Sequence, residues 1–273
     1  MDLDYIKRTG IAAAFNGGRV LRSYVGKDPG VRKKGAIDLV TRADTDSEKV
    51  IIETILERFP GHAVLAEESG LRQANRETVQ ADSRQNGDGC RWIIDPLDGT
   101  TNFAHGLGIF SISIAFERDG EIMIGIVLNP ISGELFSAVA GEGAFLNDRP
   151  ISVSAETRLS DSLLATGFPY NLPEVMPELQ ARLKACMSRA QGIRRLGSAA
   201  LDLCYLACGR FEGFWEQNLH PWDTAAGVCI AREAGAVVTD FSNRQFTIDK
   251  KEILATNSRI HSEMLDLITL KEA

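Results

Sequence analysis

Apolar residues recur at helical spacing through residues 3–25, at Ile6, Ile11, Ala14, Phe15 and Leu21, and predict a first helix. Gly30 to Gly35 is basic and turn-rich, which predicts a loop or hairpin. A second helix is expected from near Arg42 to Phe59, where Pro60-Gly61 stops it. The short apolar runs AVLAEES and RWIID read as buried strands that end in acids. Between them, Leu71 to Gly89 is polar and contains Asn86-Gly87-Asp88-Gly89, a loop composition. From Ile109 to Ile151, apolar runs are interrupted at Asp119-Gly120, Ser132-Gly133 and Asn147-Asp148. That pattern predicts an antiparallel meander.

Beyond Ile151 the pattern alternates. Strands are expected near Leu163–Thr166, Phe211–Glu216, Ala236–Asp240 and the run ILAT. Helices are expected near Pro173–Arg189, Ser198–Cys208, Pro221–Ala234 and from about Ser258. The alternation is that of an α/β arrangement. Two halves follow, an α+β half over residues 1–150 with an antiparallel sheet and an α/β half over 151–273. No linker composition separates them, so one rigid body is expected.

Composition narrows the partners. The 273 residues carry a formal net charge of −7, with 44% apolar and 25% charged residues. This is an ordinary globular balance. An acidic chain attracts neither nucleic acid nor anionic membrane over long range, so neither is expected as a partner. No apolar run approaches bilayer length, and the start, MDLDYIKRTG, lacks the apolar centre of a secretion signal. The five cysteines lack CxxC spacing and read as reduced thiols, which points to a cytoplasmic location. Cys204 and Cys208 share one helix face and fit core packing better than metal ligation.

Three segments place acids at strand ends or helix starts: Glu67-Glu68-Ser69, the block from Trp92 to Phe103 (WIIDPLDGTTNF), and His220 to Gly227 (HPWDTAAG). In the second, Asp95 ends an apolar strand, Pro96 sets a turn, and Asp98 follows three residues later. Gly99 lets backbone approach a ligand, and Thr100-Thr101-Asn102 opens a helix whose N–H groups suit phosphate. Carboxylates beside a phosphate repel it and one another unless a cation intervenes, and an all-oxygen ligand set points to Mg²⁺. Taken alone, DPLDG is equally a surface turn with solvated acids.

Together, in their order and spacing, these segments resemble the metal and phosphate motifs of the inositol monophosphatase family, and the resemblance covers nearly the whole chain. Asp38-Leu39-Val40-Thr41 with Asp44, and Gly197-Ser198-Ala199-Ala200 with Glu216, resemble two further family segments. The resemblance implies a layered αβαβα sandwich of the inositol monophosphatase and fructose-1,6-bisphosphatase type. It implies that Glu67, Asp95 and the carbonyl of Leu97 ligate one Mg²⁺, that Asp95, Asp98 and Asp223 ligate a second, and that Glu67 serves a weaker third. Thr100, bonded to Asp44, would orient water for in-line attack on phosphorus, and Glu67, Thr100 and Asp44 form the implied catalytic set. Asp98, Gly99, Thr100, Ala199, Glu216 and Asp223 would contact substrate. Glu68 would stand outside the ligand set, and either Lys33 or Lys34 would approach the metals, with Lys34 favoured.

The implied activity is Mg²⁺-dependent, lithium-sensitive hydrolysis of a small phosphorylated polyol, myo-inositol 1-phosphate foremost. Fructose bisphosphate, histidinol phosphate and nucleotide 3′-phosphates are the alternatives within the superfamily. Nucleotide phosphatases of the superfamily typically carry a lysine and an acid where Thr101 and Asn102 stand. A homodimer is implied, and some bacterial relatives act as partners of the transcription machinery. For such a role the sequence offers the basic group Arg189, Arg194 and Arg195. His105 and His220 read as packing or capping residues, and Gly141-Glu142-Gly143 as a hairpin turn.

Overall fold

The computed structural model describes residues 1–27, 30, 32–33, 39–72, 89–169 and 171–270. Helix α1 covers Leu3–Tyr24, and Asp2 caps it by accepting from the Tyr5 amide. The two-residue strands β1 (Arg32–Lys33) and β2 (Leu39–Val40) pair antiparallel, a hairpin. Helix α2 covers Arg42–Arg58. Thr41 and Asp44 close its first turn reciprocally: the Thr41 side chain accepts from the Asp44 amide, and Asp44 accepts from the Thr41 amide.

An eight-stranded sheet follows. Its strands are β3 (Ala63–Ala66), β4 (Gly70–Arg72), β5 (Cys90–Asp98), β6 (Ser111–Arg118), β7 (Glu121–Asn129), β8 (Glu134–Val139), β9 (Gly143–Leu146) and β10 (Arg149–Ile151). Their order is β10-β9-β8-β7-β6-β5-β3-β4. Only β3 and β5 run parallel; β6 to β10 form the expected antiparallel meander, and β4 pairs antiparallel with β3 at the edge. The short helix α3 (Thr100–Ala104) leaves the end of β5.

The second sheet holds β11 (Leu163–Thr166), β12 (Gly192–Arg194), β13 (Gly213–Gln217), β14 (Val237–Thr239) and β15 (Glu252–Thr256), in the order β12-β11-β13-β15-β14. Helices α4 (Leu172–Met187), α5 (Ala199–Ala207), α6 (Pro221–Glu233) and α7 (His261–Ile268) complete the chain. Strand β12 had no counterpart in the sequence reading, since three residues on a sheet edge carry no periodicity. The segment expected as a loop from Leu71 to Gly89 begins instead in β4, which takes in Leu71 and Arg72, and from 73 to 88 it lies outside the described residues.

Alternate strand positions feed different cores, and this builds the layers. Trp92 and Ile94 of β5 pack with Ile6, Ala13, Ile51 and Ile55 of α1 and α2. Ile93, on the opposite face, joins Ala200, Leu203, Ala226 and Ile230 of α5 and α6. Phe214 and Ala255 of the second sheet meet the same two helices from the far side. Their neighbours Trp215 and Leu254 turn away and pack with Cys186 of α4 and Met264 of α7. Helix pair, sheet, helix pair, sheet, helix pair: the αβαβα sandwich is the observed architecture.

The central helices are buried along most of their length, as packing between two sheets requires. Small residues let them approach. A methyl group on Gly125 would stand 2.4 Å from the Ala226 carbonyl oxygen, and one on Gly227 would stand 2.8 Å from Leu203. No described helix is long and apolar enough to cross a membrane.

Candidate active site

Strand β5 carries the first two acids, and a bulge brings them to one face. Asp95 pairs with Ser113 of β6 and Asp98 with Ser111, so three steps on β5 oppose two on β6. Regular alternation would send residues three apart to opposite faces; the extra residue restores them to the same one. Leu97 accordingly falls in the α1–α2 core. Pro96 donates nothing to the ladder, while its carbonyl accepts from Ser47 Oγ of α2 at 3.1 Å. Asp95 Oδ1 accepts from the Leu97 amide at 2.9 Å and holds the turn.

Gly99 follows with φ +96°, and a methyl group there would lie 3.1 Å from the carbonyl oxygens of both Gly197 and Ile109. Only glycine meets both demands. The turn launches α3, whose Asn102 Nδ2 donates to the carbonyls of Ile109 and Leu196, each at 2.7 Å. Asn102 thus pins the phosphate-loop candidate to the second half of the chain.

Thr100 Oγ1 lies 3.1 Å from Asp44 Oδ1 and 3.0 Å from the Leu97 carbonyl oxygen. A hydroxyl has one proton, so it donates to one of these acceptors at a time. Asp44 is fully buried, and burial pushes its carboxyl up to about 6 against the hydrogen bonds from Thr41.

Glu67 continues from β3 alongside β5, its amide donating to the Ile94 carbonyl at 3.1 Å. The amide of Glu68 donates to Glu48 Oε2 of α2 at 2.9 Å. Asp223 stands in the first turn of α6, where its Oδ2 accepts from the His220 amide at 2.7 Å. That helix start is tied to the first sheet by Ser113 Oγ, which donates to the Trp222 carbonyl at 3.1 Å. His220 stacks on Trp222, with centroids 4.9 Å apart.

The charges of these acids act on one another. Burial, then Glu67, Asp98 and Asp223, drive the Asp95 carboxyl well above the usual carboxylate range. Burial raises Asp223 likewise, with Asp98, Glu67 and Glu216 adding to it against the His220 amide. Asp98 is raised to about 6 by burial, although Ser198, Ala200 and Ser111 all donate toward it. Among the described residues, no three acid, histidine or cysteine side chains close into a finished metal cage. The donors are carboxylates and carbonyls throughout, which fits a hard cation and not a soft one.

Beside the acids lies a pocket. Asp98, Gly99, Thr100, Ala199, Glu216 and Asp223, the whole substrate set expected from sequence, line it together. Glu216 stands next to last in β13 and lies against the Gly167 backbone; a methyl group at Gly167 would overlap its carboxyl. Burial lifts the Glu216 carboxyl to about 8, with Arg195 opposing and Asp98 assisting. Two further charged residues line the pocket, Arg195 and Asp202. The basic group read from sequence is therefore divided. Arg195 lies over the Phe168 ring in the pocket, whereas Arg189 pairs with Glu263 on the surface. Asp202 was missed because an acid in the first turn of a helix is ordinary, and nothing local marks it as buried. Asp38, Lys34 and the side chain of Lys33 lie outside the described residues.

The chain is similar to known proteins over nearly its whole length. The profile of the inositol monophosphatase family matches residues 2–270. A Haemophilus influenzae protein named Nus factor SuhB is 42% identical over 260 residues, which are 94% of this chain and 93% of that protein. An inositol-1-monophosphatase of Synechocystis is 43% identical over 254 residues, 92% of this chain and 84% of that protein. The crystal structure of extragenic suppressor protein suhB from Bartonella henselae superposes with a TM-score of 0.89 at 40% identity, covering 98% of this chain and all 100% of that one. By sequence and by fold, the chain belongs to the inositol monophosphatase family, a family of phosphatases.

Proposed function

We propose that this phosphatase hydrolyses small polyol monophosphates with Mg²⁺, myo-inositol 1-phosphate being the leading substrate. One observation carries the reading: acids come together from three distant segments, and the charges of Glu67 and Asp98 raise the proton affinity of both Asp95 and Asp223 beside a pocket lined by Glu216. Such crowding is unfavourable unless a cation or protons offset it.

Glu67, Asp95, Asp98, Asp223 and the Leu97 carbonyl would hold two or three Mg²⁺. Bound there, the ions would supply the positive charge that lets carboxylates and a phosphate dianion share one volume and that favours ionised water. The chain's own groups do the rest. Thr100 donates to Asp44, which leaves its oxygen to accept from the attacking water and aim it. The Asp44 carboxyl is poised to take up a proton near neutrality. Backbone N–H groups of Gly99 and Thr100 stand at the start of α3, where a helix leaves its first amides without internal acceptors, and they would hold phosphate oxygens. Glu216 would accept from a hydroxyl of the alcohol, with Ala199 packing beside it.

The test is a phosphatase panel of inositol phosphates, sugar phosphates, histidinol phosphate and 3′-phosphoadenosine 5′-phosphate, with and without Mg²⁺. Metal-dependent turnover that favours inositol phosphate is expected. Metal-independent turnover, or a preference for the nucleotide, would overturn the reading. A second reading rests on the name of the Haemophilus relative, Nus factor SuhB, and gives the chain a transcription-machinery partner. Retention of the chain by immobilised RNA polymerase components would support it. With either function the chain is expected to form a homodimer, and sedimentation of the purified chain as a monomer at micromolar concentration would exclude that.

A further inference from the structure

Asp202 is the one pocket acid for which the reaction above has no use. It sits on α5, one turn beyond the Ser198 hydroxyl and Ala200 amide that hold Asp98, and it is 1% exposed. Its Oδ1 is buried with no hydrogen-bond partner among the described residues, yet the residue lines the pocket. An unsatisfied buried carboxyl oxygen is costly, and a fold keeps one where a ligand completes it. Two other pocket features fit that role. Glu216 lies near enough for its charge to act on Asp202, so two carboxyls share one wall. Arg195 lies over the Phe168 ring, its guanidinium 5.4 Å from the centroid, and its charge acts on both carboxyls in the opposite sense.

Two neighbouring carboxyls and a missing partner define the chemistry of the ligand. It must bring hydrogen-bond donors to the unpaired oxygen. We propose that Asp202 is a second substrate-hydroxyl contact, and that with Glu216 it selects phosphate esters whose alcohol carries at least two further hydroxyl groups. The inference rests on the phosphatase reading above and adds a specificity-determining residue to it.

The test compares myo-inositol 1-phosphate with phenyl phosphate, which has no hydroxyl to offer, in wild type, Asp202→Asn and Asp202→Leu. The ratio of kcat/KM between the two substrates should fall about tenfold in Asp202→Leu and by less in Asp202→Asn, whose amide retains the shape and an acceptor. The Tm of both variants should equal or exceed that of wild type, because an unpaired buried carboxyl has been removed. An unchanged ratio, whether both rates fall together or neither does, would overturn the proposal. So would a lowered Tm with parallel losses on both substrates, which marks a structural acid. If wild type turns over neither ester, the phosphatase reading fails on its own account. Calorimetric binding then decides about Asp202: the same tenfold loss in the Kd ratio supports it, and equal ratios in wild type and Asp202→Leu overturn it.

Discussion

The amide of Ala200 donates to Asp98 Oδ2 at 2.9 Å across 102 residues of chain, and the Ser198 hydroxyl donates to the same oxygen. The bond joins the bulged end of β5 in the first sheet to the start of α5, the helix sandwiched between the sheets. A helix N-terminus favours a carboxylate, so α5 both orients Asp98 and partly offsets the cost of burying it. The site is thus a property of the joint between the two halves, and changes on either side should register there.

Asp95→Asn should leave the metal-free fold intact and remove metal binding. The Asn oxygen can still accept from the Leu97 amide, and a buried charge repelled by three other acids is gone. Calorimetry should show Mg²⁺ affinity weakened at least about tenfold while the metal-free Tm stays level or rises. Unchanged affinity would remove Asp95 from the ligand set.

Glu216 makes the metal-free protein less stable toward alkaline pH. Its folded carboxyl titrates at about 8, above the ordinary 4.5, chiefly because it is buried. Between those values the folded state holds more protons than the unfolded one, so stability falls as pH rises through the window. The total is on the order of a few kcal/mol. Glu216→Gln should flatten this slope, as read by urea unfolding from pH 5 to pH 9. A slope identical to wild type would show that Glu216 is not the group responsible.

His62 should act on the acid side. It is sandwiched between Phe59 and Phe116, and its Nδ1 accepts from Trp92 Nε1 at 3.0 Å. Burial holds the ring down to about 4, below the usual 6.5, so the folded state keeps it neutral. The unfolded state binds more protons between these values, and stability is lost as pH falls through them. His62→Phe should lower overall stability by about 1–3 kcal/mol, since it strands the Trp92 N–H. It should also weaken the dependence between pH 6.5 and pH 4, which tryptophan fluorescence can follow.

Gly99→Ala should damage both stability and turnover. The residue would have to keep a left-handed backbone while its methyl group presses on two carbonyl oxygens. A loss of about 1–3 kcal/mol is expected, together with reduced turnover through a displaced α3. A variant with wild-type Tm and activity would show that this turn tolerates a side chain.

Much of this was legible locally. Helix α2 begins near Arg42 as expected, and the Asp119-Gly120 and Asn147-Asp148 turns separate strands as expected, because helix starts and turns depend on residues a few positions apart. The acids of the EES, DPLDG and WD segments could be singled out for the same reason. Their type and their place at an element's end are written in a handful of consecutive letters.

The rest required the assembled chain. Only the bulge at Pro96, set by pairing with β6, shows why Asp95 and Asp98 share a face. Arg195 reads as one of a surface cluster in the sequence and becomes a pocket residue through its place between β12 and α5. Asp202 reads as a helix-start acid and becomes a buried carboxyl with an unpaired oxygen once both sheets close over α5. Period, capping and turn chemistry act over a few residues, so the sequence by itself determined the elements and the candidate acids. Burial and charge coupling depend on groups brought together from 100 residues away, so tertiary structure alone decided which acids are desolvated, which are satisfied, and which await a ligand.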